Sequence, residues 1–481
     1  MVSILRKKPV IINMVLIFDI IGTIYCLIKS FVLPQYSFWI LPMVYSIFLL
    51  FAQINRKMTS SNVGALILNI TMSIRYVGVP VIYYSTGILS RFAKDYSNLD
   101  YAVWLLLYEM IVVMIVLEVS GRRYYKKEQL INKNNVLYLH VKYGTIIFLL
   151  VFAIVLFLAV SYKDLVAGFL VIISGSLEQS VNSVNNNILD IIWETLSTWL
   201  YVYIIMKESE KFEMDNSSVH VFKVILYTYI FVLITFIQSV AFSRWYTIIS
   251  AAAAITCLLK LFPVYKKKIV VSIIIPVIML IVLITAYKNA GFSIGETKFL
   301  DSFSEIFSSS NFDSYFAGPV NVNNAIGVKK NYQTLGIGTF IKDMLHNMPI
   351  VNHYMDMTQT SVYSYNAYIG RLWGGAGDQI MPLVGQSSVY FGYLFAPLLS
   401  SISVLFVRKF DFLLKKTSSY MMYLYAFTAV WFSVEAMMLN FTININWFYI
   451  RIIPFSIAFF VTNKISKKQY QRKKNECSSV E

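Results

Sequence analysis

Between Lys288 and Gln386 an otherwise apolar chain turns polar, through Tyr315-Phe-Ala-Gly-Pro-Val-Asn-Val-Asn-Asn324, Tyr363-Ser-Tyr-Asn-Ala-Tyr368 and Arg371-Leu-Trp-Gly-Gly-Ala-Gly-Asp378. On either side of it the sequence reads as long apolar runs joined by short basic loops. A helix needs about 20 apolar residues to cross the hydrocarbon of a bilayer. Twelve runs meet that length, near 10–29, 36–54, 63–85, 101–119, 142–160, 188–206, 219–238, 244–262, 269–287, 387–407, 420–438 and 444–462. The chain therefore divides into nine spans over 1–287, a large loop over 288–386, three spans over 387–462 and a basic tail over 463–481. The expected fold class is an all-α polytopic integral membrane protein with about twelve transmembrane helices.

Composition agrees. Of 481 residues, 57% are hydrophobic and 14% charged, against about 25% charged in soluble domains. The net charge of +16 does not point to nucleic acid, because the basic residues sit in short clusters between apolar runs rather than on one face of a folded module. Cys26 and Cys257 lie in apolar runs and Cys477 in the tail, which gives no disulfide framework. The first run lacks a small-x-small cleavage site and reads as a retained span.

The clusters also set orientation. Arg6/Lys7/Lys8, Arg56/Lys57, Arg122/Arg123, Lys266/Lys267/Lys268, Arg408/Lys409 and the tail from Lys464 all fall on one side of a twelve-span chain. Positive loops stay in the cytoplasm. Both termini are thus expected inside and the long loop outside. Asp164 to Ser174 is apolar but too short to cross, and reads as a re-entrant or interfacial piece.

Two stripes within the loop have helical spacing: Phe299, Leu300, Phe303, Ile306 and Phe307, then Phe340, Ile341, Met344, Leu345 and Met348. They predict short amphipathic helices in the headgroup plane or capping the bundle, or else a small subdomain with its own core. The Asn- and Tyr-rich remainder suits sugar rings, which stack on aromatic faces and need partners for their hydroxyls. It equally suits an interfacial aromatic belt.

Ionisable residues within spans are costly and usually functional. Arg244 opens its span at the outer surface. Arg451, Glu435, Asp190 and Glu194 lie in the outer half of theirs, and Arg75 near mid-depth. That asymmetry predicts a wet cavity open to the outside. Guanidinium forks match a pyrophosphate bidentately, while carboxylates nearby hold the forks or accept a proton. Arg75 is expected to pair with Asp190 or Glu194 simply to bury charge, whereas Arg244 and Arg451 are expected to be functional. Asp19, in the first span, has no evident role. No Asp-x-Asp pair, zinc spacing or Gly-rich phosphate loop occurs in the loops, so no metal or cofactor is expected. His346 and His353 read as acid–base or plain polar loop residues.

The short outer turn Phe242-Ser-Arg-Trp-Tyr246 is followed by a long loop ending in Gly374-Gly-Ala-Gly-Asp-Gln-Ile-Met-Pro382 and Gly385-Gln-Ser-Ser-Val-Tyr-Phe-Gly-Tyr393. In topology and in these patches, about a third of the chain, it resembles the bacterial O-antigen and capsular polysaccharide repeat-unit polymerases, the Wzy family. The resemblance implies a glycosyltransferase of the cell envelope, in the bacterial cytoplasmic membrane. It would join undecaprenyl-pyrophosphate-linked oligosaccharides at the outer face and release undecaprenyl pyrophosphate. Arg244 and Arg371, with Arg451 third, would clamp the leaving pyrophosphate, where negative charge develops. Glu435, Asp378 and Asp313 are the candidate general bases. Other polysaccharide assembly proteins are the expected partners. The rival readings are a lipid-linked oligosaccharide flippase or other transporter, an O-antigen ligase, and a structural or receptor membrane protein.

Overall fold

The computed structural model describes residues 10–33, 37–59, 61–90, 95–129, 144–162, 187–238, 244–289, 308–348, 351–354, 360–373, 380–417, 419–438 and 440–478. Among them there is helix and no strand. Seven helices are long and apolar enough to cross a membrane: Ile12–Ser30, Val63–Thr86, Leu99–Glu128, Ile188–Asp215, Ser218–Phe236, Tyr393–Lys416 and Phe441–Ser466. The runs expected at 36–54 and 142–160 form the shorter apolar helices Ser37–Phe51 and Ile146–Ser161. Residues 421–438 form one further helix, Met421–Met438. Tyr246–Leu261 and Pro263–Leu280 pass the same test only as a pair, bent by 117°. These features are those of a helical membrane protein. The stripe from Phe299 to Phe307 and the piece from Asp164 to Ser174 lie outside the described residues.

The chain forms two compact units. The first comprises Met1–Ile131, Glu305–Phe412 and Thr428–Trp447. Its polar stretch is built into helices: Ser309–Phe316, Pro319–Asn331, Ile337–His346, Ser361–Trp373 and Leu383–Phe391. Ala325, Val328, Tyr365, Tyr368, Met381 and Tyr390 make their common core, with Phe340 stacked on Phe441 at 4.9 Å against it. The stripe from Phe340 to Met348 is thus partly consumed in packing, since Phe340 and the buried Asp343 face this core while Ile337 and Ile341 stay exposed. Close approach fixes one glycine: a methyl at Gly327 would collide with the Tyr368 ring.

The expected span at 387–407 is broken. Leu383–Phe391 ends at Gly392, whose φ of +88° lies in the region that favours glycine, and the long helix Leu398–Lys416 starts after Pro397. Arg408, expected in a cytoplasmic loop, therefore lies inside that helix. It is fully buried and donates to the Asn55 side chain at 2.6 Å. One turn on, the Asp411 carboxylate accepts from the Gly64 and Ala65 amides at 2.9 Å each. It supplies from far along the chain the acceptor that the first turn of Val63–Ser73 lacks.

The second unit comprises Asn132–Ser304, Leu413–Phe427 and Phe448–Glu481. Aromatic packing knits it together. Tyr201 stacks on Phe231 at 4.2 Å, Tyr423 meets both edge-on, and Phe427 contacts Phe455. The Lys260 ammonium donates to the Leu414, Lys415 and Thr417 carbonyls, where a cation complements the C-terminal end of a helix. His220 sits between Glu208 (2.7 Å) and Asp215 (2.9 Å), pinning the hairpin from Asn187–Asp215 to Ser218–Gln238.

Candidate functional site

In the second unit the Arg451 guanidinium holds Glu194 bidentately, Nε to Oε2 at 2.6 Å and Nη2 to Oε1 at 2.7 Å. Its plane lies over the Tyr246 ring, 3.7 Å from the centroid, so the cation is held by a carboxylate fork and a π face together. Tyr246 belongs to the first turn of Arg244–Leu261, two residues after Arg244. Two positions more than 200 residues apart in sequence are thereby gathered at one helix start. The Arg244 side chain lies outside the described residues.

The local cause at Arg451 is legible. Pro454 cannot donate a backbone hydrogen bond within the helix, and the five residues before Ile453, Phe448–Ile452, form a π turn that carries Arg451. The same construction recurs in the first unit, where the π turn Ile74–Gly78 carries Arg75 just before Val79-Pro80. Such turns bulge one residue outward from the regular ladder and are frequent where a side chain must be re-aimed.

For Arg75, expected to pair with Asp190 or Glu194, the carboxylate described against it is another one. Its partner is Glu109, Nη1 to Oε2 at 3.0 Å, with both side chains buried at 1% and 0% exposure. The Arg75 Nε donates to the Ala317 carbonyl at 3.1 Å, and the Glu109 carboxylate also accepts from the Ser400 and Tyr76 hydroxyls. Glu109 sits in the middle of an apolar run and meets the cation from there. Asp19 also gains a role: its buried carboxylate accepts from Ser73.

Asp313 is fully buried. Its carboxylate accepts from the Tyr83 hydroxyl at 2.5 Å and from the Val320 and Asn321 amides at 3.2 Å each, capping Pro319–Asn331. Burial pushes the carboxyl up from 3.8 to about 6, against the opposing pull of these donors. A raised carboxyl pKa means that the folded state holds the proton more tightly than the unfolded chain. This group's contribution is therefore full at low pH, falls as pH rises from about 4 to 6, and amounts to about 3 kcal/mol across that window. Asp313→Asn should lower the melting temperature at every pH, since its oxygen can accept from one backbone amide while its NH2 would face the other. It should also flatten the pH 4–6 slope, and thermal melts of both proteins from pH 4 to 7 check this.

Glu435 is likewise buried and accepts from the Trp431 indole, which also donates to Asn444 at 3.1 Å. Asp313 and Glu435 share no hydrogen-bond partner among the bonds just described. Asp378 and the Arg371 side chain lie outside the described residues, as do the glycines from 374 to 377 and the His353 side chain.

Several groups expected to meet sugar are spent internally. Tyr365 and Tyr368 are core, and only Tyr363 of that motif is open. Asn321 and Asn323 are buried, Asn321 donating to the Asp313 carbonyl and Asn323 to the Asp95 carbonyl. Gln386 braces the fold by donating to the Ser361 hydroxyl at 2.7 Å and accepting from the Phe441 amide at 2.5 Å. A polar residue type marks a need for partners, not whether a ligand or the backbone supplies them. Sequence reasoning missed Glu109, Tyr246 and Asp343. The last is buried and accepts from Tyr390 and the Ser361 amide. The sequence signal for the arginines was an Arg three to five residues ahead of a proline within an apolar run.

Compared with known proteins, the chain matches no family model, no curated protein and no solved structure.

Proposed function

We propose that the chain is a glycosyltransferase that lengthens an O-antigen or capsular polysaccharide at the outer face of the bacterial cytoplasmic membrane. Its substrates are undecaprenyl-pyrophosphate oligosaccharides, and it works with about twelve spans and both termini in the cytoplasm. A hydroxyl of one oligosaccharide forms a bond to the anomeric carbon of another. The bond from that carbon to the pyrophosphate oxygen breaks, the electron pair leaves with undecaprenyl pyrophosphate, and the hydroxyl proton passes to a carboxylate. The observation that carries this reading is the placement of Arg451, oriented by Glu194 and Tyr246, at the helix start that bears Arg244. A guanidinium held fixed, on a helix start whose sequence carries a second arginine, suits a departing pyrophosphate. The third cation proposed for the clamp is Arg371, from the polar stretch. Asp313 and Glu435 are buried and hydrogen-bonded, which favours Asp378 as the base.

Arg244→Ala tests it. The variant should reach the membrane at normal level, abolish polysaccharide ladders and leave single repeat units displayed outside the cell. Full-length ladders from that variant would remove Arg244 from the clamp. In cells lacking the protein, repeat units trapped on the cytoplasmic side would identify a flippase instead, and normal polymer awaiting transfer would identify a ligase.

A further inference from the structure

At the N-terminal end of helix Leu99–Gln129 the first unit carries a cavity of about 540 Å³. Tyr101, Trp104 and Tyr108 form one wall; Ile326 and Lys330 of helix Pro319–Asn331 and Tyr393 form the other. The wall residues continue down the helix as an exposed stripe, Tyr101, Trp104, Tyr108, Ile111, Ile115 and Val119, spaced three or four apart on one face. That stripe is aromatic for its first two turns and aliphatic below. On one of the most apolar helices of the chain, this is the face a membrane helix turns to lipid, with amphipathic rings at headgroup level. The cavity opens at the top of the stripe, so its occupant has a hydrocarbon chain.

The charge of the cavity narrows the class. Among the described residues Lys330 is its one charged lining residue; the ammonium donates to Asn98, lies 5.4 Å from the Tyr101 ring centroid, and has three protons to share. The neighbouring Lys329 is engaged with the Ser388 carbonyl and the Tyr393 ring, at 4.3 Å from its centroid. One point cation balances a phosphodiester, which carries a single negative charge. A pyrophosphate would leave charge unmatched.

We infer that this cavity seats one anionic glycerophospholipid of the surrounding bilayer. Its phosphodiester sits on Lys330, its glycerol region lies among Tyr101, Trp104 and Tyr393, and an acyl chain follows Tyr108, Ile111, Ile115 and Val119. The assignment is independent of the polymerase reading, since it uses none of the clamp arginines.

The test uses the full chain in phosphatidylcholine vesicles containing rising fractions of phosphatidylglycerol with brominated chains, which quench nearby tryptophan. The difference between the native protein and Trp104→Phe isolates the signal of Trp104. Half-quenching of that signal should occur at a low phosphatidylglycerol fraction. Lys330→Gln, an exposed substitution, should shift it to about five- to tenfold more, the effect of one lysine at an anionic surface, while Lys330→Arg should stay near the native curve. Equal quenching by brominated phosphatidylcholine, or a curve unmoved by Lys330→Gln, overturns the proposal. Displacement of the brominated lipid by an equimolar isoprenoid pyrophosphate overturns it too, and would assign the cavity to a pyrophosphate lipid.

Discussion

Glu109→Ala should destabilise the protein by about 3–5 kcal/mol, the usual cost of removing one partner of a buried ion pair. The reason is not the lost attraction but the charge left behind. Arg75 is 1% exposed and cannot deprotonate, so without Glu109 its guanidinium stays cationic inside an apolar bundle. The Tyr76 and Ser400 hydroxyls would lose their acceptor in the same step. Glu109→Gln keeps the shape and one acceptor, and should cost less than the alanine variant. The double variant Arg75→Met with Glu109→Leu removes both charges and should recover most of the loss, as apolar replacements of whole buried pairs do. Melting curves in detergent for the four proteins decide the matter. If Glu109→Ala melted with the native protein, the ion pair would contribute nothing to the fold of this unit.

Helix positions were legible because an apolar run about 20 residues long matches the thickness of bilayer hydrocarbon and closes its backbone hydrogen bonds there as a helix. Long-range partners were not. Glu109 hides inside a run so apolar that one carboxylate is averaged away. Asp313 resembled a free base because its consumers are a tyrosine 230 residues earlier and amides seven and eight residues later. Neither spacing leaves a local pattern. The polar stretch is similar: its Asn and Tyr residues suit sugar rings or an interfacial belt by type, yet Asn321 and Tyr365 are buried. Membrane helices next to a polar segment supply walls against which such residues can close their hydrogen bonds inwardly. Arg244, Tyr246 and Arg451 sit between these extremes. The sequence marked both arginines, but only the fold brings Tyr246 and Glu194 against Arg451.

That arrangement separates positioning from chemistry in one experiment. Glu194→Ala should cost about 3–5 kcal/mol of stability, because it strips a bidentate partner from a guanidinium only 12% exposed. Arg451→Ala should cost a similar amount by stranding Glu194. Neither single variant reveals what Arg451 does in the reaction, since a misfolded protein makes no polymer. The double variant Arg451→Leu with Glu194→Leu leaves neither member of the pair stranded and should melt within a few degrees of the native protein, the aliphatic chains packing on the Tyr246 face. Polysaccharide ladders from that folded double variant are the deciding measurement. If Arg451 stabilises the departing pyrophosphate, ladders stay absent despite the recovered fold, and Arg451→Lys, which keeps a point charge but not the fork, restores at most a small fraction of them. If the double variant makes normal ladders, the Arg451–Glu194 pair serves the fold alone, and the clamp reduces to Arg244 and Arg371.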